Sequence, residues 1–480
     1  MQQTAIILAT VNARYSHAAF GIRWLWANLG PLRDHAAIRE FNLNQAPLEI
    51  SEDLLRLNPR IIGFSVHVWN VTLLTQVVQV IKRVRPEVVL VLGGPEVSYE
   101  YEDAPIFNSA DYLIRGEGEV AFARLACDVL DGRAPEEKVI AVDPPALEGL
   151  ILPYDAYSQK DLTQRLTYVE ASRGCPFGCE FCLSSLDPHV REFPLDPFLQ
   201  AMSGLIERGA RRFKFVDRTF NLRAARVDAI LDFFLRHWRE DMSVHFEIVP
   251  DRLSDRMLKR IAEFPPAGLH LEAGVQSLNP ASLAAIGRRQ DIEKTLANIR
   301  FLREETGALV HADLVVGLPG ETWQTLSAGF DQLVALRPHE LQVGILKRLK
   351  GAPIRRHPLV FAEHPPYEVL QTEHLTFEQL QRLKRFARYF DLYYNSGNFP
   401  TTLPLLWCAR PSAFDAFMSL SDTLWAETGR THEFPLTQLI RHLYRFLVEA
   451  RVYKPRHIAD TIESDYHRLP GRKERLQLPS

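Results

Sequence analysis

The chain has 480 residues, 46% of them hydrophobic and 24% charged, a composition that excludes collagenous, mucin-like and wholly disordered classes. At about 100 to 200 residues per domain it should hold roughly three domains. Fifty-six basic residues against 59 acidic ones leave a formal charge of −3, so no net field draws the chain to nucleic acid or an anionic membrane. No basic leader opens the chain, and no segment approaches the roughly 18 apolar residues of a membrane span. The expected location is therefore the cytoplasm, where thiols stay reduced.

Short β-type runs near 5–11, 37–43, 60–66, 87–92 and 111–114 alternate with helical segments near 18–29, 48–57, 71–83 and 120–130. That alternation predicts a parallel sheet in a Rossmann-like domain over 1–135. Its post-strand loops carry Ser65-Val-His67, Gly93-Gly94 and Gly116-Glu117-Gly118-Glu119, all at the carboxyl edge where open α/β sheets bind ligands. A serine followed 28 residues later by a glycine pair would let a long flat cofactor tail lie against bare backbone. No GxGxxG opens the first helix, which disfavours a dinucleotide.

Residues 136–163 are rich in proline and poor in periodic apolar positions, and are expected to form a linker. A second βα series follows over 164–350, with strands near 166–171, 212–216, 244–249, 268–275, 309–316 and 341–346. Six such units suit a partial (β/α)6 barrel, whose active residues lie on loops after the strands. Residues 351–480 read as helical, with helices near 376–394, 411–427 and 436–450 and a polar tail over 471–480. The aromatic residues Phe386, Tyr389, Phe390, Tyr393 and Tyr394 recur at helical spacing, which favours core over a substrate pocket.

Three of the five cysteines fall within Arg173-Gly-Cys-Pro-Phe-Gly-Cys-Glu-Phe-Cys182, directly after a predicted strand. Cys175, Cys179 and Cys182 can converge on one [4Fe–4S] cluster, leaving one iron open to another ligand. Two other readings stand beside it: zinc with a fourth ligand such as His189, or chance clustering of thiols. Cys127 and Cys408 are read as buried small hydrophobes.

The CxxxCxxC loop, with Phe181 before its last cysteine, resembles the signature of radical S-adenosylmethionine (radical SAM) enzymes. Further matches follow in order: Phe215-Val-Asp-Arg-Thr-Phe-Asn221, His245-Phe-Glu-Ile-Val-Pro250, Leu271-Glu-Ala-Gly-Val-Gln-Ser277 and Asp313-Leu-Val-Val-Gly-Leu-Pro-Gly-Glu-Thr322. The resemblance implies SAM contacts from Gln276 and Arg288 to the methionine part and from Glu247 and Asp313 to the ribose. Phe181, Asp217 and Glu272 complete the candidate set.

The serine, glycine-pair and GEGE elements ahead of such a barrel resemble the cobalamin-binding domains of cobalamin-dependent radical SAM enzymes, in particular members with an added helical C-terminal domain. This implies cobalamin contacts from Ser65, His67, Gly93, Gly94, Gly116, Glu117, Gly118 and Glu119. One departure is the loop Tyr15-Ser-His17-Ala-Ala-Phe-Gly21, which breaks the D-x-H-x-x-G pattern, so His17 is expected to cap or pack the first helix. The resemblance implies reductive cleavage of SAM to a 5′-deoxyadenosyl radical and methyl transfer through cobalamin to an unactivated carbon of a small molecule. An electron donor such as flavodoxin or ferredoxin would serve it. The alternatives are a cobalamin-dependent cyclisation or rearrangement, an N-terminal domain that is only a lid, and a zinc-stabilised binding protein.

Overall fold

The computed structural model describes residues 4–472 apart from 409, together with 476 and 478; most of the expected 471–480 tail lies outside the described residues. The chain divides into two compact units. One comprises Met1–Phe246, Arg348–Ile354 and Ala362–Tyr367, and the other Glu247–Lys347, Arg355–Phe361 and Glu368–Ser480.

In the first unit, β1 (Ile6–Asn12), β2 (Ala36–Asn42), β3 (Ile61–Ser65), β4 (Val89–Gly93), β5 (Tyr112–Arg115) and β6 (Val139–Ala141) form a parallel sheet ordered β2-β1-β3-β4-β5-β6. Every residue of β1 is buried, because the strand is covered on both faces. Ile7, Ala9 and Val11 join the core built with the helices Pro47–Arg56 and Val71–Val84. Ile6 and Leu8 point the other way, into the core built with Phe20–Ala27 and Glu119–Leu130. A period of two with both faces covered gives the continuous apolar run that marks such strands. The order reverses at β1, so the loops after β1 and β3 diverge and leave a crevice at the sheet's carboxyl edge.

β6 was not legible in the sequence. It is three residues long and sits inside the proline-rich segment read as linker, which also holds the helix Gln159–Gln164.

The second βα series begins in the first unit with β7 (Thr167–Val169). A two-residue antiparallel pair follows, β8 (Ser172–Arg173) with β9 (Arg191–Glu192). β10 (Arg212–Phe215) then pairs in parallel with β7 and with the start of β11 (Ser243–Ile248). Residues returning from beyond position 347 complete this unit. Glu96, only 3% exposed, accepts from the Tyr367 hydroxyl at 2.6 Å and lies 3.3 Å from the Lys350 ammonium, while Arg348 holds Glu100 at 2.8 Å.

In the second unit, β12 (Leu269–Gln276), β13 (Leu309–Val316) and β14 (Glu340–Ile345) run parallel in that order. β12 alternates strictly between buried and half-buried positions, so Leu269, Leu271, Ala273 and Val275 face the helices and the polar residues share the other face. Phe386, Tyr389, Phe390 and Tyr393 are fully buried. Phe386 and Phe390 pack edge-on to Phe330 of the helix Trp323–Ala335 and to Phe417 of Ala413–Thr428. They are core, as their spacing implied. The helices Thr402–Trp407 and Pro455–His467 add to the three expected. No described helix is long and apolar enough to cross a membrane.

Cys127 and Cys408 are exposed, contrary to the packing role read for them. The helix Glu119–Leu130 buries Phe122, Leu125, Ala126 and Val129, and position 127, about 100° on from Ala126, turns away from that stripe. Cys408 lies just past Thr402–Trp407, about 200° around from buried Leu406.

Candidate functional site

The cysteine loop is closed at its base by the β8–β9 pair, in which Arg173 is opposite Arg191. Gly174 has φ +87, and a Cβ there would lie 2.3 Å from the His189 carbonyl oxygen, so only glycine lets the two arms of the loop meet. The Cys175 amide donates to Asp187 O at 3.0 Å and the Cys182 amide to Cys179 O at 3.0 Å. Cys175 and Cys179 are buried and Cys182 half-buried, with Phe181 beside it half-buried as well. Asp217 holds the entry to the loop, its two oxygens accepting from the Ala171 amide at 2.9 Å and the Ser172 hydroxyl at 2.6 Å. Burial raises this carboxyl to about 6, against those hydrogen bonds.

A cavity of about 860 Å³ opens beside the loop. Its lining joins the three predicted loops of the N-terminal sheet (Ser65 and His67, Gly93 and Gly94, Gly116 to Glu119) to Ser172, Gly174, Ser184 and Asp187 of the cysteine segment. The Ser65 hydroxyl and His67 Nε2 are 3.1 Å apart, and the His67 ring stacks on Trp69 with centroids 4.2 Å apart. Burial pushes His67 down to about 4, so it is a neutral hydrogen-bonding group at neutral pH. His17 caps no helix: the N-cap of Phe20–Ala27 is Ala19. Instead its Nδ1 meets the Tyr168 hydroxyl and it lines the same cavity, its pKa lowered first by burial and then by Lys214 and Arg14.

The glycine pair separates two effects. A Cβ on Gly94, at φ +105, would lie 2.5 Å from Val66 O and 2.9 Å from Val66 N, whereas one on Gly93 meets nothing nearer than 3.8 Å. Gly94→Ala should therefore cost about 1–3 kcal/mol of stability or more from backbone strain and clash. Gly93→Ala should leave the denaturation midpoint unchanged while narrowing the cavity wall. Denaturant titration of both variants checks this, and equal losses would contradict it.

The GEGE turn is charge-paired to the cysteine loop. Arg173 reaches Glu117 at 2.6 Å, Glu119 at 2.7 Å and Glu170 at 3.1 Å, with its guanidinium 4.7 Å over the Trp24 ring. Arg191 adds a second bond to Glu117 and lies 3.3 Å from Asp187. Arg173, Arg191, Glu170 and Tyr168 were not singled out as site residues in the sequence. The available signal was the two carboxylates at 117 and 119, which demand cationic partners when buried.

Burial, only partly offset by Arg173, raises Glu170 from 4.5 to about 7. A carboxyl whose folded pKa is raised binds more protons folded than unfolded between those values, so stability falls as pH rises through that window. Glu170→Gln should flatten the decline between about pH 4.5 and 7. Denaturation midpoints across this range test the point, and an unchanged slope would refute it.

In the second unit, Gln276 ends β12 in a left-handed conformation (φ +69), where the register with β13 shifts. The Arg288 guanidinium donates to Gly274 O and, through Nε, to Gln290 at 2.7 Å. Gln276 and Arg288 are thus brought together at one strand end, with a Cβ on Gly274 coming 2.9 Å from the Gln276 amide and 3.8 Å from the Arg288 guanidinium. Glu247 and Glu272 occupy half-buried, alternating positions on β11 and β12. Asp313 lies deeper along β13, 3.1 Å from His311.

Three family models cover most of the chain: a B12 binding domain over 7–126, the Radical SAM superfamily over 169–331, and a protein of unknown function (DUF4080) over 355–478. The chain is a cobalamin-binding-domain radical SAM protein. Its cofactors are accordingly a [4Fe–4S] cluster, SAM and cobalamin. This radical SAM protein is 26% identical over 314 residues to the anaerobic magnesium-protoporphyrin IX monomethyl ester cyclase of Rubrivivax gelatinosus, covering 58% of this chain and 54% of the cyclase. It is 24% identical over 384 residues to an uncharacterized methyltransferase of Pyrococcus horikoshii, covering 72% and 81%. A third relative is the tRNA-2-methylthio-N(6)-dimethylallyladenosine synthase of Coxiella burnetii, 27% identical with 50% and 56% covered. The matches thus span about half the length of the cyclase and of the tRNA synthase. Among solved structures, the radical SAM methyltransferase TsrM from Kitasatospora setae, with cobalamin and a [4Fe–4S] cluster bound, superposes with a TM-score of 0.61. That match has 17% identity and covers 93% of this chain and 99% of TsrM, and it shows a shared fold.

The residues suit these groups. Three sulfurs on a glycine-pinned loop form an iron–sulfur donor set, and the glycine-edged cavity offers bare backbone for a flat cofactor.

Proposed function

We propose that this protein is a cobalamin-dependent radical SAM methyltransferase that methylates an unactivated carbon of a small molecule. The observation that carries the reading is the single cavity that joins the glycine loops of the B12-binding domain to the cysteine loop within one compact unit. When bound, the cluster supplies the electron for cleavage of SAM, and cobalamin supplies a methyl carrier.

Cys175, Cys179 and Cys182 would hold the cluster. Gly93, Gly94, Gly116 and Gly118 would let cobalamin approach backbone, and Ser65 with neutral His67 would offer a donor and an acceptor to its polar edge. Glu117 and Glu119 act on the cofactors through Arg173, whose ion pairs fix the cysteine loop against the cavity. In the second unit, the Arg288 cation suits a carboxylate such as that of the methionine part of SAM, with Gln276 beside it. Glu247, Glu272 and Asp313 complete the proposed SAM set of that unit. Phe181 belongs to the cysteine loop of the first unit, and Asp217, 2% exposed with both oxygens taken by Ala171 and Ser172, supports that loop and is not left free for SAM. A low-potential donor of the flavodoxin or ferredoxin class would deliver the electron.

The P. horikoshii relative and the TsrM fold support methyl transfer, whereas the R. gelatinosus relative favours a second reading, ring closure without methyl transfer. Anaerobically reconstituted protein, supplied with cobalamin and methyl-labelled SAM, should pass label to a small molecule from a metabolite extract. A product formed without label would establish the cyclase reading. A colourless protein holding zinc in place of iron would overturn both.

A further inference from the structure

The polar face of β12–β14 carries a cluster that the cofactor assignments do not use. His270 is the second residue of β12, His311 the third of β13 and Glu340 the first of β14. Their nearest ligand atoms all lie within 4.8 Å of one another. His311 is in register with Glu340, and its Nδ1 is 3.5 Å from Glu340 Oε2. That separation is long for a hydrogen bond, but two ligands each about 2.1 Å from a tetrahedral ion stand about 3.4 Å apart. On the other side of the ring, His311 Nε2 lies 3.1 Å from Asp313 Oδ1. With Asp313 behind the ring, a ligating His311 would carry its proton on Nε2 and turn the Nδ1 lone pair toward Glu340. His311 is 8% exposed, while His270 and Glu340 are half-buried, so an ion can reach the cluster from solvent.

We propose that His270, His311 and Glu340 form a second metal site for a divalent first-row transition ion, zinc above all, with water completing the shell. Two imidazoles and one carboxylate are a borderline-soft donor set that suits zinc better than magnesium or calcium. The site lies toward the amino ends of the strands. His270 and Gln276 are six residues apart on β12, which at about 3.3 Å per residue is roughly 20 Å. The ion therefore clips three adjacent strands at the end away from the Gln276–Arg288 pair.

Zinc is the probe, applied to protein already loaded with its iron–sulfur cluster so that the cysteine loop is occupied. Equilibrium dialysis followed by elemental analysis should find one zinc per chain beyond the iron, and the Tm should rise with zinc concentration. His270→Ala and Glu340→Gln, both at half-buried positions, should weaken zinc binding at least tenfold and abolish the Tm rise while leaving iron content unchanged. Absence of stoichiometric zinc and of a Tm response in the wild type would overturn the site. That result would leave His311 only as a link between the Asp313 and Glu340 carboxylates. Full zinc retention by both His270→Ala and Glu340→Gln would overturn it equally.

Discussion

Replacing Cys175, Cys179 or Cys182 by alanine is expected to lower iron from about four per chain to less than about one and to reduce reductive SAM cleavage to background. With only three sulfurs on the loop, no spare thiolate there can take over a lost position, and the two remaining cysteines, Cys127 on the helix Glu119–Leu130 and Cys408 just past Thr402–Trp407, sit exposed elsewhere in the sequence. Cys127→Ala and Cys408→Ala therefore make the natural controls and should leave iron unchanged. Iron and sulfide analysis of anaerobically reconstituted variants reads the outcome directly. If a single-cysteine variant kept a full complement of iron, the assignment of that cysteine would be wrong.

Arg173→Met should produce a large loss of stability in the first unit. The Arg173 side chain is 10% exposed and faces carboxylates of Glu117, Glu119 and Glu170, which are themselves 6–22% exposed. Arg173→Met would preserve much of the packing on Trp24 and Phe193 but leave those carboxylates uncompensated. Removing one partner of a buried ion pair costs about 3–5 kcal/mol, and that is the drop expected in anaerobic urea titrations. Adding Glu119→Gln should recover part of it, since directly paired residues couple by about 0.5–3 kcal/mol. Arg173→Lys should fall between, keeping charge but losing the planar fork that spans three acceptors. A loss below about 1 kcal/mol for Arg173→Met would show that these contacts are solvated and weak.

Strand existence was legible because buried parallel strands write themselves as apolar runs. All six strands of the second series fall within a few residues of their expected places. β6 escaped because its three residues lie inside a proline-rich stretch with no flanking apolar period. The cysteine loop was legible because its chemistry is local, set by spacing along eight residues. The Arg173 pairs with Glu117 and Glu119 were not, since they join residues 54 to 56 positions apart and no spacing rule connects a GEGE turn to an arginine before a cysteine. Cys127 was misread for a simpler reason: a helix with Phe122, Leu125, Ala126 and Val129 inward leaves one neighbour of that stripe outward, and an apolar residue type does not decide which.

The return of residues 348–367 to the first unit has a consequence for biosynthesis. Glu96 is buried against Tyr367 and Lys350, so a nascent chain that has emerged only as far as Phe246 holds a carboxylate whose partners do not yet exist. The gap from 246 to 367 is 121 residues, which at about 5–20 residues per second takes roughly 6–24 s to translate. During that interval the B12-binding sheet can form, but its 94–101 edge stays open to water. Completion of the first unit is therefore timed by synthesis of about half of the second, and a fragment cut at the apparent domain boundary would be left with its Glu96 edge unfinished.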